Sequence, residues 1–447
     1  MNKLITVLLV FLSITLFSCA GLQRDSGKSL MQPEKEFCFL FTNSTLGKLE
    51  PEGSGSRQQG GLARRSTLIN ETRETEKKVL VFDTGNIFSD KDLLLDKDKT
   101  LYTLIALDKM KIDVLNIGAY DVLSSRLLKK NEPKLVFHLV SANIKSISTG
   151  ELIFKPYTIA ENQGIKIGIF GLTSNHPNPT VLKNKNILID NPVKEAERTV
   201  IRLKAENCDI IILLSQLTDT ENIQVAKQVP GIHFIFGSSS RTDQKKTVES
   251  TMIISPGTKG KKAALIKTSF RDTVSSFYDI RTKAALEKQL KNMGEKEFQQ
   301  SEDIASEKSK IENRLRSFNN KTGCTCNTIM LNKNIKEDSR ITLLIEKYKQ
   351  IRLRKTIPDY KKTISSVDLS GLDEEKKLLA LRLMNEIKCY KDLNIASLAD
   401  ITPFCRKLAD IIVERVSTGE SEGKIRYRIL QEKEQNKKYL DKKHLFQ

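Results

Sequence analysis

An α/β layered domain is what the sequence predicts for residues 37–277, on three observations. Short apolar runs rich in β-branched and aromatic residues recur along this stretch at strand length. Segments with helical spacing of apolar residues lie between several of them. From residue 281 the pattern changes, so the alternation has an end as well as a beginning. Strands alternating with helices bury their apolar faces by stacking sheet and helix layers.

The expected strands, in order, are Phe37–Phe41, Val79–Asp83, Val114–Gly118, Lys134–Asn143, Lys166–Leu172, Asp209–Ser215 and His233–Gly237. Thr100–Met110 and Pro192–Glu206 carry helical patterns between them. "GSGSRQQGG" at 53–61 is glycine-rich, but it lacks the Lys-Ser/Thr of a phosphate loop and follows no strand, so it reads as a flexible loop. Residues 281–320 have no proline, abundant Glu, Lys and Gln, and apolar residues from Leu286 to Phe318 at roughly helical spacing. That predicts one long, mostly exposed helix. Residues 321–447 read as a separate, basic, mainly helical region containing cysteines, with a helix opening near Asp373 and acids in its first turn.

The N-terminus reads as a targeting segment. Lys3 precedes an apolar run from Leu4 to Phe17, too short to span a bilayer as a helix but suited to a signal-peptide core over residues 1–18. Leu16-Phe17-Ser18-Cys19 resembles a bacterial lipobox, so Cys19 is the expected lipidation residue and 19–35 a polar tether. Ordinary secretion with Cys19 as a spare thiol is the alternative. Anchoring would run through acyl chains such as palmitate, which places the protein in a bacterial cell envelope, at the outer membrane or a periplasmic face.

Lys and Arg number 74 against 55 Asp and Glu, a net charge of +19. Lys is spread along the chain, which favours anionic partners or simply a solvated surface. The expected partners are the membrane, through its anchor, and anionic envelope components or another envelope protein. No nucleic-acid module is visible. Of the seven cysteines, Cys38 and Cys208 lie in apolar runs as small hydrophobes. Cys324, Cys326, Cys389 and Cys405 are candidates for disulfides, with redox or metal work as the alternative; their pairing is not readable from sequence.

Several blocks carry a resemblance. "FTNSTLGKLEP…GGLARRSTLINETR", "VLVFDTGNIFSD", "ALDKMKIDVLNIGAYDV", "LVSANI", "FKPYTIAENQGIKIGIFGLTS", "DIIILLSQLTD" and "VPGIHFIFGSSSRTD" occur in one order. Residues 36–280 resemble the calcineurin-like metallophosphatase domain of bacterial 5′-nucleotidases. The resemblance implies a four-layer α/β/β/α sandwich with its site on loops at strand ends. It also implies two bridging divalent metals that activate a water.

At every position where that family places a ligand, this sequence departs from it. Asp-x-His-Gly becomes Ser44-Thr45-Leu46-Gly47, and the bridging aspartate of Gly-Asp becomes Asn86. Gly-Asn-His-Glu becomes Gly118-Ala119-Tyr120-Asp121, and the histidine of Ser-His-Leu becomes Gln216. Gly-Gly-His-Ser-His becomes Gly237-Ser238-Ser239-Ser240-Arg241. Leu46 and Ala119 offer no donor atom, and Arg241 would oppose a cation. Hence neither a metal nor any other cofactor is expected, and no catalytic residue.

The expected function is a catalytically silent binding or structural lipoprotein; the alternative is a divergent 5′-nucleotidase or phosphoesterase. In the emptied cleft, Arg241 is expected to pair with Asp83, Asp121 or Asp243, or else with an external anion. His138, His176, His233 and His444 lack ligand spacing to one another. Around Cys389, Ser397, Leu398 and Cys405 the C-terminal region resembles a small Cys-rich module of exported bacterial proteins, although Lys391 and Leu393 stand where that module has cysteines.

Overall fold

β1 (Lys35–Thr42) shows how the sequence builds two cores at once. Side chains alternate across a strand, so Phe37, Phe39 and Phe41 enter one core while Cys38 and Leu40 enter another. The computed structural model describes residues 34–76, 78–89, 97–175, 179–241, 243–270, 276–294, 302–356, 369–386, 398–429 and 431–432.

Parallel to β1 run β2 (Val79–Asp83), β3 (Val114–Asn116) and β4 (His138–Val140). A ribbon pairs β5 (Ile144–Ser146) with β8 (Ile187–Ile189). The second sheet takes β6 (Tyr157–Asn162), β7 (Ile165–Thr173), β9 (Ile210–Gln216), β10 (Phe234–Phe236), β11 (Asp243–Val248) and β12 (Thr251–Pro256). Its order is β11-β12-β10-β9-β7-β6. With β13 (Lys262–Phe270), β14 (Phe277–Asp279) and β15 (Thr322–Met330), the first sheet reads β14-β15-β13-β1-β2-β3-β4.

Between the sheets, Phe39, Phe41 and Phe82 meet Ile212, Leu214, Phe234 and Phe236. The rings of Phe41 and Phe236 stack at 4.4 Å. Burying each such side chain stabilises the fold by roughly 1.5–3 kcal/mol. The opposite faces of β9 and β10 (Ile211, Leu213, Ile235) pack with Ala196, Val200 and Leu203 of the helix Pro192–Ala205 and Val225 of the helix Asp219–Gln228. On the outer side of the first sheet, residues of the helices Leu62–Thr75, Lys97–Lys109 and Ser339–Thr356 complete the remaining core. The layers are therefore α/β/β/α, and each expected strand is present.

The chain after 280 differs from the expectation. Instead of one helix over 281–320 there are two, Ile280–Gly294 and Glu302–Arg316. Gly294, a poor helix former, is the last residue of the first. Gln289 Nε2 donates to Glu307 Oε1 at 3.0 Å, so the two lie side by side. Residues 322–330, expected to open a helical region, form β15 within the first sheet. Helices follow, and those of 374–429 bury their own small core of Leu383, Leu408, Ile412 and Ile425.

The thiols of Cys324 and Cys326 are buried and unjoined. Alternate residues of an extended strand stand about 6.7 Å apart, at the outer limit for a disulfide.

Candidate functional site

The loops leaving the C-terminal ends of β1, β2, β3, β9 and β10 converge on one edge of the sandwich. Their backbone is strained. Ser44, Leu46 and Asn86 have φ of 48°, 51° and 53°, in the left-handed region that side chains disfavour. Gly85 has φ of 105°, and a Cβ there would stand 2.7 Å from Asn116 O. At Gly118 a Cβ would run into the Asn86 side chain, so the β3 loop needs glycine for close approach.

At the centre lies the buried amide of Gln216, the last residue of β9. Its Oε1 accepts from Ser44 Oγ at 3.0 Å and from Asn86 Nδ2 at 2.7 Å. Its Nε2 donates to Asn43 Oδ1 at 2.6 Å and Gly85 O at 3.1 Å. Asn43 Oδ1 also accepts from Thr84 Oγ1 at 2.6 Å, and Asn43 Nδ2 donates to Ser238 O at 2.8 Å and Gly257 O at 2.7 Å. Asn86 Oδ1 accepts from Tyr120 N at 3.0 Å. The loops after β1, β2, β3, β10 and β12 are thus joined to the end of β9 by one uncharged, mutually satisfied network.

The structure brings Ser44, Asn86 and Gln216 together with the backbone of Tyr120 bonded to Asn86, and buries Ala119 next to it in the chain. Leu46 is half-buried at the edge. Ser239 and Arg241 stay outside and are exposed, because Ser239 N is held by Leu217 O and the loop turns outward there. The expected Arg241 plug is therefore corrected: Asp243 pairs with Lys262, and the cation buried against Asp83 is Arg65. Sequence reasoning missed Arg65, Asn43 and Thr84. The order "GGLARRS" placed a helix start there but gave no sign that the second arginine turns inward.

Arg65 Nη1 donates to Asp83 Oδ2 at 2.7 Å, with the two side chains only 2% and 0% exposed. The same carboxylate accepts from Thr42 Oγ1 at 3.1 Å and Gly85 N at 2.9 Å, which fixes the β2 loop. Asp121 Oδ1 and Oδ2 accept from Phe88 N and Gly118 N, each at 3.0 Å. Burial pushes the Asp121 carboxyl up to about 7; nearby Asp83 adds to this, and the backbone N–H groups work against it.

These residues do not fit a two-metal centre. Hard divalent cations need carboxylate, imidazole or free carbonyl ligands, and the amide oxygens here are already engaged by neighbouring donors. Among the described residues, no group of three or more His, Cys, Asp or Glu is placed to hold a metal. His138 is exposed, and His233 is buried with Nδ1 accepting from Ile211 N. Cys19, His176, Cys389 and His444 lie outside the described residues, as does the side chain of Cys405.

Beside the network, where Thr173 pairs with Gln216 across β7 and β9, a cleft of about 380 Å³ opens between Thr173, Ser174, Asn175, Asp190, Asn191 and Glu221. The Lys145 ammonium, hydrogen-bonded at 2.6 Å, holds the Asp190 carboxyl below its ordinary range. Glu221 is tied to Ser174 and to the cap residue Thr218. Carboxylates, hydroxyls and amides line this cleft together with Ile189 and Pro192, and Arg241 is absent from its lining.

No family model matches the sequence. The trifunctional nucleotide phosphoesterase YfkN of Bacillus subtilis is 27% identical over 215 residues, which is 40% of this chain and 15% of that protein. The protein UshA of Yersinia enterocolitica is 30% identical over 209 residues, 44% of this chain and 36% of its own length. The chain thus spans well under two thirds of these curated relatives. Among solved structures, a 5′-nucleotidase precursor from Thermus thermophilus aligns with a TM-score of 0.53 at 18% identity, over 71% of this chain and 59% of that one. The calcineurin-like phosphoesterase YfkN from Bacillus subtilis aligns with a TM-score of 0.53 at 16% identity, over 72% of this chain and 99% of that one. A four-layer sandwich with loops gathered at its strand ends defines a metallophosphatase-type domain. This chain carries a domain of that fold, and its sequence is similar to 5′-nucleotidases and nucleotide phosphoesterases over about half its length or less.

Proposed function

We propose that this domain is a metallophosphatase scaffold without metal-dependent hydrolysis, serving as a binding or structural component of a bacterial envelope. The single observation that carries the reading is the Gln216 network: the space in which the family's chemistry needs charged ligands is filled by neutral groups that satisfy one another. The apolar N-terminus and the motif ending at Cys19 support export and lipid anchoring. Among the described residues, no helix is long and apolar enough to cross the membrane. The cleft beside Glu221 offers a concave polar surface, and its carboxylates suit a ligand rich in hydroxyl or amine donors better than a phosphate.

The test is an assay of the purified chain with Mn²⁺ or Mg²⁺ on nucleotides and on a generic phosphodiester. The expected result is no turnover above heat-denatured protein, and no melting-temperature change with millimolar Mn²⁺, since a ligand that does not bind cannot stabilise. Turnover abolished by a chelator would overturn the reading. It would support a second one, a divergent nucleotide phosphoesterase, which the names of the curated relatives favour.

A further inference from the structure

Three sulfur atoms meet at the margin of the core between the sheets, apart from the network around Gln216. Cys324 and Cys326 are alternate residues of β15, so both side chains leave the same face of the strand. Their Sγ atoms are 3.8 Å apart, and Cys324 Sγ donates to Met252 Sδ of β12 at 3.5 Å. All three residues are buried; Cys326, at 8% exposure, is nearest the surface.

These separations suit ligands better than a bond between sulfurs. One ion at bonds of about 2.3 Å would span 3.8 Å with an S–metal–S angle of about 111° and 3.5 Å with about 99°. Next to Cys324 in the parallel register stands Asp279 of β14. Its Oδ2 accepts from Lys245 Nζ at 2.6 Å and Thr282 Oγ1 at 2.9 Å, while its buried Oδ1 has no partner. A buried acceptor left open beside two thiols marks a place where the polar accounting of the fold is incomplete.

We propose that Cys324, Cys326 and Met252 form a Cu(I) site. Two thiols and a thioether are soft ligands, the set that selects Cu(I) over oxygen-seeking cations. A thioether in place of a third thiolate or an imidazole disfavours Zn²⁺, whose structural sites take four N or S ligands. Binding forms two Cu–thiolate bonds and one Cu–thioether bond and releases both thiol protons to solvent, and the metal stays Cu(I) throughout. The three ligands and the ion then carry one net negative charge, beside an Asp279–Lys245 ion pair that is neutral overall. Because protons leave, affinity rises with pH.

The test uses the full chain, reduced and without oxygen, titrated with Cu(I) against a chromophoric Cu(I) chelator, with X-ray absorption at the copper edge. The parent is expected to hold one equivalent in an all-sulfur environment that Cys324→Ala and Cys326→Ala each lose, with affinity down by at least about 100-fold. Met252→Leu conserves volume and keeps the fold; its expected loss is about tenfold, with both thiolates still bound. Three results would overturn the proposal: copper affinity unchanged in the folded Cys326→Ala chain, nitrogen or oxygen coordination in the parent, or a Cys324–Cys326 disulfide in the protein as isolated.

Discussion

Asn86 Nδ2 donates to Gln216 Oε1 at 2.7 Å, joining the β2 loop to the end of β9 through two neutral amides. Removing the Gln216 amide would leave buried polar groups of Asn43, Asn86 and Ser44 without this partner. Each unsatisfied group costs roughly 1–3 kcal/mol, less what local water recovers. Gln216→Ala is therefore expected to lower unfolding free energy by about 2–4 kcal/mol in denaturant titrations. Gln216→Glu keeps the acceptor but turns a carboxylate oxygen toward Gly85 O and Asn43 Oδ1. Its cost is expected to grow between pH 5 and pH 8, as the buried acid is forced to ionise. A Gln216→Ala protein as stable as the parent would remove the network from the structural argument.

The buried ion pair predicts an asymmetry between two arginines. Breaking a buried pair by deleting one partner costs about 3–5 kcal/mol, because a charge is left uncompensated. Arg65→Ala should show a loss of that size, since Asp83 is completely buried. Arg241→Ala removes an exposed side chain and should change stability by no more than about 0.5 kcal/mol. Equal effects in thermal and denaturant unfolding would contradict the assignment of Arg65 as the internal cation.

Much of this fold was legible because the period-two alternation of β1, β9 and β10 is carried by large apolar side chains. β11 was not legible. Its sequence, Asp243 to Val248, is polar and lies at a sheet edge, where charged residues guard against unwanted pairing instead of marking a core. The altered ligand positions were readable one by one, and Ser44, Asn86 and Gln216 do meet. What filled the space was not readable. Asn43, Thr84 and Arg65 are polar residues whose burial depends on contacts with partners 18 to 214 residues away in sequence. For Arg241, the outward turn after Ser238 broke an inference that depended on motif spacing alone.

Asp121 predicts a slope of stability with pH. Its folded pKa of about 7 lies above the unfolded value, so between about pH 4 and 7 the folded chain binds more protons than the unfolded one. Stability contributed by this group is present at the acid end and lost as pH rises through 7, by on the order of 4 kcal/mol. Asp338 works in the opposite sense. Burial raises its pKa, but Arg340 and Ser66 outweigh that and hold it at about 2, so its contribution is lost as pH falls below about 4. Asp121→Asn should lower stability at pH 5, since an amide satisfies only one of two N–H groups, and should flatten the slope from pH 5 to 7. An unchanged slope in the variant would assign the titration elsewhere.

Lipid attachment at Cys19 predicts a simple fractionation result. One acyl chain gives marginal membrane binding and several hold firmly. The parent chain, expressed in a bacterium supplied with labelled palmitate, should carry label and sediment with membranes. Cys19→Ser should lose the label and be released. Equal labelling of both would disprove attachment at this residue.

The placement of β15 makes a truncation prediction that separates two parts of the C-terminal region. β15 lies between β13 and β14 in the first sheet, and its register with β13 runs from Thr268↔Cys324 to Lys262↔Met330. Beyond it, Leu331, Ile341, Ile345 and Tyr348 are buried in the core that also holds Leu62 and Leu104. Burial of such side chains contributes roughly 1.5–3 kcal/mol each, so these residues together match the 5–15 kcal/mol by which a typical domain is stable. A chain ending at Asn320 would also expose the long edge of β13, an invitation to pairing between molecules. It is expected to lose cooperative unfolding and to aggregate. A chain ending at Lys362 keeps β15 and the helix Ser339–Thr356 and loses the small core of Leu383, Leu408, Ile412 and Ile425, together with the packing of the helix Glu374–Glu386 on the helix Ser339–Thr356. Circular dichroism should show that chain melting cooperatively, within a few degrees of the parent. If instead the chain ending at Asn320 melts cooperatively as a monomer, β15 contributes little to the sandwich.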